Sequence, residues 1–289
     1  MTLAPGRHAA LTVIDVATGA CEVVLRTDRH VEAPNWSRDG HWLVVNCDGE
    51  LYRLPAPGAG PAVLERIVTT GLPPVNNDHV LAPDGTTIYV SGRDGHLYAV
   101  PWTGGTGRRI GNGQPEARRF KHYLHGISAD GRTLSYVGGG LDAAGRWVTN
   151  VYTVPAAGGP DRQLTDDPFP DDGAELAPDG SVWFNSERAS PGHAQLFRWA
   201  GGAVEQVTDD ERVNWFPHVS PDGRWVVYLS YPPGTAGHPA DLDVLLRLVP
   251  ADRSAPPRDL VGLRGGQGTT NVNGWAPDSR RFAFVAYPL

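Results

Sequence analysis

Lysine is almost missing from this 289-residue sequence: among 25 basic residues, Lys121 alone is not an arginine. With 32 acidic residues the formal net charge is −7, so the chain lacks the basic surplus of a nucleic-acid-binding protein. Cysteine is scarce too. Two residues, Cys21 and Cys47, do not make a disulfide framework. No stretch approaches the roughly 20 apolar residues of a membrane span. The opening MTLAPGRHAALTV has neither the apolar core nor the small-residue cleavage site of a secretory signal. A cytoplasmic protein with no membrane or nucleic-acid partner is expected.

Glycine (36) and proline (26) are plentiful, about a fifth of the chain, against roughly 12% on average. Long helices do not tolerate so many breakers. A disordered chain would not carry 40% apolar residues and nine tryptophans. Short strands joined by tight turns remain.

A repeat fixes the class. SRDG ends at Gly40, APDG at Gly85, SADG at Gly131, APDG at Gly180, SPDG at Gly223 and APDS at Ser279. The spacings of 43 to 56 residues match one four-stranded propeller blade each. Around each turn the same units recur. A short strand leads in, and a β-rich strand such as WVVYLS or SVWFNS follows. A third resembles HLYAVPW or QLFRWA, and a fourth ends near Leu-Thr or Val-Thr. The chain ends on strands one and two of a unit and begins on strands three and four, LTVIDVATG and CEVVLRT. The expected fold is therefore all-β: a six-bladed β-propeller of four-stranded antiparallel blades, closed by pairing N- and C-terminal strands. The blades are placed at about 31–70, 75–112, 120–166, 172–208, 213–262, and 270–289 plus 8–28, in a single domain.

The two faces should differ. Asp-Gly turns and three-to-four turns share one face and are minimal. Links between blades and two-to-three loops share the other. They include DDPFPDDGAE (166–175), NSERASPGHA (185–194) and SYPPGTAGHPADLD (230–243). Function concentrates where long loops sit on a rigid scaffold, so the site is placed there. Counting back four or five residues from each turn gives Asn35, His79, His125, Glu175, His218 and Asn273, one per blade. All six are polar, and they should converge around the channel mouth. Three imidazoles and a carboxylate could hold a divalent metal such as Mn, Fe, Ni, Zn or Ca. Asn77, Asp78 and Asp172 would be outer acceptors. A hydrated structural channel and a metal-free His/Glu site are the alternatives. Further ligand-binding candidates are Asn185, Asn214, Trp215, His238 and Gln267. His122 is a candidate acid or base, and Arg188 a candidate carboxylate clamp.

On these repeats the chain resembles the TolB-type propellers over essentially its whole length. Blades of this type also precede the catalytic domain of prolyl-oligopeptidase-type enzymes, but no G-x-S-x-G nucleophile elbow is present. The polar channel mouth resembles the site of oligogalacturonate lyases, which are TolB-type propellers holding a divalent metal. That resemblance implies a carbohydrate-active enzyme, a lyase or hydrolase acting on a sugar or uronate. His79, His125, His218 and Glu175 would sit around the metal, His122 would be the base and Arg188 the clamp. The second reading is a scaffold presenting a rigid face to a protein or a sugar ligand.

Overall fold

The protein is described by a computed structural model covering residue 3 and residues 5–289. Six antiparallel sheets form a ring. Five are four-stranded, with first strands at Val31–Trp36, Val75–Leu81, Lys121–Ile127, Asp171–Leu176 and Val213–Val219 in blades 1 to 5. Blade 6 joins the two ends. Ala9–Asp15 pairs with Cys21–Thr27 on one side and with Arg281–Ala286 on the other, in register Ala10↔Ala286 through Asp15↔Arg281. Its first strand shrinks to a single bridge, Trp275↔Phe282. Among the described residues helix is reduced to one 3-10 turn, Glu116–Arg118.

The repeat has a physical cause at each turn. In blade 1 the Ser37 hydroxyl donates to Asp39 Oδ1, and that oxygen accepts from the His41 N–H. The Trp42 N–H donates back to Ser37 Oγ. Blade 5 repeats this with Ser220, Asp222, Arg224 and Trp225. The following glycine takes a left-handed φ, 77° at Gly40 and 72° at Gly223, which costs glycine nothing. The Leu-Thr and Val-Thr motifs are likewise structural. Thr165 and Thr208 hydroxyls accept the N–H of Val151 and Leu196, completing the edge of the third strand.

Among the described residues the apolar core is six clusters, one between each neighbouring pair of blades. Trp36, Trp183 and Trp275 are buried in them. All five complete blades break register in the middle of the first strand: Glu32/Asn35, Val75/His79, Leu124/Gly126, Asp172/Glu175 and Trp215/His218. Such bulges re-aim side chains. Here they send the residues before the break to the loop face and those after it to the turn face.

Candidate functional site

The bulges split the expected ring of six. Asn35, His125, Glu175 and Asn273 line a cavity of about 430 Å3 at the turn face, edged by Pro83, Pro178, Pro221 and Pro277. His218 stands behind Glu175, donating through Nδ1 to Glu175 Oε2 at 2.6 Å and through Nε2 to the Thr270 carbonyl at 2.7 Å. Glu175 Oε1 accepts from the Val219 N–H and from Asn273 Nδ2, each at 2.7 Å. Asn35 in turn donates to the Asn273 carbonyl. His79 is wholly buried, with Nε2 directed at the Val44 carbonyl of blade 1, and burial pushes its pKa down to about 4. Among the described residues no three His, Cys, Asp or Glu side chains gather as a metal-holding group. The set His79, His125, His218 and Glu175 is therefore not assembled: His218 has both ring nitrogens on oxygen acceptors, and His79 points into the joint between blades.

Other candidates also take structural places. His122 is buried between Phe120 and Tyr136 and donates through Nδ1 to the Gly95 carbonyl, away from the channel. Arg188 is committed to Asp171 and Asp167 and lies over the Phe184 and Phe197 rings, so it has no free fork for a ligand. Asn185 accepts the Phe216 N–H. Asn214 is fully buried among Gln195, Thr208 and Ser230.

The loop face holds a second cavity, about 550 Å3. It brings together Asn77, Asp78, Asp172, Trp215, His238 and Gln267 from the sequence candidates, with His125 at its floor. His125 thus lies between the two mouths, touching both cavities. Asp172 is the centre of the funnel. Its Oδ1 is 3.1 Å from His125 Nε2 and its Oδ2 is 3.5 Å from His238 Nε2. The other ring nitrogens face acceptors too: His125 Nδ1 donates to the Asn271 carbonyl at 3.1 Å, and His238 Nδ1 donates to Gln267 Oε1 at 2.6 Å. Two imidazoles with acceptors on both sides suit the doubly protonated, charged form.

The titration follows from these contacts. Burial works against charge on His125, but the Asp172 contact and the charges of Asp78 and Asp172 outweigh it and push the pKa up to about 9. His238 is raised for the same reason: burial opposes, and Asp172 and Gln267 prevail. Burial would raise Asp172, yet His125 and His238 hold it below the usual carboxylate range. Asp78 goes the other way. Burial pushes it up to about 6, with the charge of Asp172 adding to the rise and that of His125 opposing it. Its neighbour Asn76 donates to it through the side chain. Carboxylates in one pocket whose values are driven apart are a usual mark of acid–base assignment.

Residues not foreseen from sequence complete the funnel: Glu32, Arg93, Tyr123, Trp147, Phe216 and Asn271. Glu32 is buried, accepts from Asn77 Nδ2 at 3.1 Å, and has its pKa raised by burial against the charge of His30. Phe216 sits on the blade 5 bulge at φ 53°, an uncommon conformation for a bulky residue. Its ring stacks on His125 and meets His238 edge-on. Trp215 is buried behind His238, ring centroids 4.5 Å apart. For Glu32, Tyr123, Phe216 and Asn271 the sequence signal was their place two or three positions before the ring counted from the turns; Arg93 and Trp147 lie outside that pattern.

No protein-family profile matches the chain. It is 35% identical over 285 residues to the uncharacterized protein Atu1656 of Agrobacterium fabrum, covering 97% of this chain and 92% of that one. A solved structure from Agrobacterium tumefaciens, provisionally assigned as TolB, superimposes with TM-score 0.87 at 36% identity, over 98% of this chain and all of its own. Oligogalacturonate lyase in complex with manganese superimposes with TM-score 0.57 at 17% identity, over 91% of this chain and 75% of its own. That last likeness is one of fold.

Proposed function

The chain belongs to the TolB-like family of six-bladed β-propellers, and we propose that it is a carbohydrate-active enzyme whose loop-face funnel takes a sugar or uronate. One observation carries the reading: a single cavity holds a carboxylate near neutral pKa, Asp78, beside an Asp172 clamped by His125 and His238. The imidazolium pair offers positive charge to a uronate carboxylate. Charge fixed in advance at a dry site is worth far more than in water. Asp78, ionised above about pH 6, takes the proton on the carbon next to that carboxylate. The electron pair forms a carbon–carbon double bond and expels the glycosidic oxygen, which needs a proton. Glu32, on the same cavity wall with its pKa raised by burial, is the group placed to supply it. Asn77 and Gln267 hydrogen-bond ring hydroxyls. No step passes through a metal, because no three His, Cys, Asp or Glu side chains gather to hold one among the described residues, and both nitrogens of His218 and Nδ1 of His125 are engaged by a carboxylate and carbonyls.

The experiment is direct. Oligouronates are incubated with the protein and the ultraviolet absorbance of an unsaturated product is followed across pH. Turnover is expected to rise as Asp78 ionises near pH 6 and to fall as His125 loses its proton near pH 9. Reducing-end release without absorbance identifies a hydrolase in the same funnel. Tight sugar binding with no product makes the protein a sugar-binding propeller. One equivalent of divalent ion in purified protein, lost in His125→Ala, overturns the metal-free scheme.

A further inference from the structure

All nine tryptophans of the chain are described, and Trp147 alone is exposed, at 47%. It is also the one aromatic residue among the exposed large apolar side chains of the described residues. Its position is neither random nor loose. Trp147 opens the strand Trp147–Pro155 of blade 3 and pairs with Leu141 across a tight turn. Asp142 locks that turn, its Oδ1 accepting from the Ala144 and Arg146 N–H groups.

The indole needs a special floor. A Cβ on Gly139 would lie 2.6 Å from Trp147 Cζ2 and 3.3 Å from Tyr123 Cε2. Gly139 therefore lets the indole settle against the strand beside Tyr123, with its other side open to solvent. Both rings line the loop-face funnel, as does Thr149 two residues on. Residues two apart on a strand share a face. The Thr149 hydroxyl accepts the N–H of Asp171, the residue before Asp172. The aromatic shelf thus continues the funnel outward from its charged centre.

We infer that Trp147 and Tyr123 form an outer subsite that stacks a second pyranose ring, so that the ligand is an oligosaccharide of at least two units. The inference rests on the sugar reading of the funnel. A rigid aromatic plate exposed next to hydroxyl-binding groups matches the apolar C–H face of a pyranose, whereas the other eight tryptophans are buried or half-buried.

The test compares galacturonate with its dimer and trimer by melting shift and calorimetric titration. Wild-type protein is expected to bind the dimer and trimer more tightly than the monomer. Trp147→Ala should weaken the trimer between about two- and tenfold, a loss of roughly 0.5–1.4 kcal/mol, and leave the monomer unchanged. Trp147→Phe should retain most of the gain. Gly139→Ala displaces the indole without removing it and should mimic the alanine variant. If Trp147→Ala and Gly139→Ala bind trimer as wild type does, the shelf is refuted and the funnel reading stands. If wild type binds none of the three, the sugar reading falls and the shelf with it.

Discussion

The two mouths of the channel are built from the same repeat and behave in opposite ways. At the turn face, Glu175, His218, Asn273 and Asn35 are joined in one chain of hydrogen bonds that leaves only Asn35 Oδ1 among them without a partner. At the loop face, the carboxylates and imidazoles are only partly matched. Asp78 is desolvated without a cationic partner in contact, and Asp172 is shared between two rings. A buried polar network that is fully satisfied rigidifies a structure; one that is held short of satisfaction stores electrostatic potential for a ligand. Rich polarity near an axis is therefore not the signal of a site. Unbalanced polarity is.

The largest expected effect sharpens this contrast on the loop face. Asp78→Asn should lower turnover on oligouronates by about 10²- to 10⁴-fold while the melting temperature holds or rises. Retained turnover means that Asp78 is not the base. The next effect belongs to the other mouth. Glu175→Ala leaves the buried His218 without its carboxylate and should cost about 3–5 kcal/mol in urea unfolding, with turnover per folded molecule unchanged. A stable Glu175→Ala protein that has lost turnover would reverse the roles of the two faces. A smaller effect appears in stability against pH. His125 is raised from 6.5 to about 9, so its contribution is complete below pH 6.5 and is lost as pH rises through about 9. Calorimetric scans should show that decline in wild type and not in His125→Gln. The smallest effect is at the blade 2–blade 3 joint. His122→Phe, a swap among aromatic neighbours, should change stability by less than about 1.5 kcal/mol and leave turnover alone.

The fold was readable because its cause is local and repeated. A serine or alanine, an aspartate and a residue tolerant of positive φ make the same turn six times, down to Ser279 at φ 55°. The ring closure followed from which strands stood at the two ends. The site was half readable. Asp78, Asp172, His238 and Gln267 were placed by loop length and reach the funnel. His79 and His218 were placed by counting along a strand taken as regular. The bulges at Val75/His79 and Trp215/His218 change which side chains face where, and a one-residue change of register turns every side chain over. Nothing in the composition of NNDHV or NWFPH announces a bulge. Trp147 was hidden for another reason: GGGLDAAGRW reads as a loop, but glycines 138–140 lie in the regular strand Thr133–Leu141.

Closure of the ring bears on how the molecule is made. Ala9–Asp15 finds its inner neighbour, Arg281–Ala286, only across almost the whole chain. Until that partner leaves the ribosome, the early hairpin has a bare edge, and blades 1 and 5 each lack one flank. Pairings so distant in sequence form slowly, and an unpaired edge invites other chains meanwhile. The contact that seals the propeller thus forms only after the strands of blades 1 to 5 have all been made, which leaves the closing edge bare through that whole period.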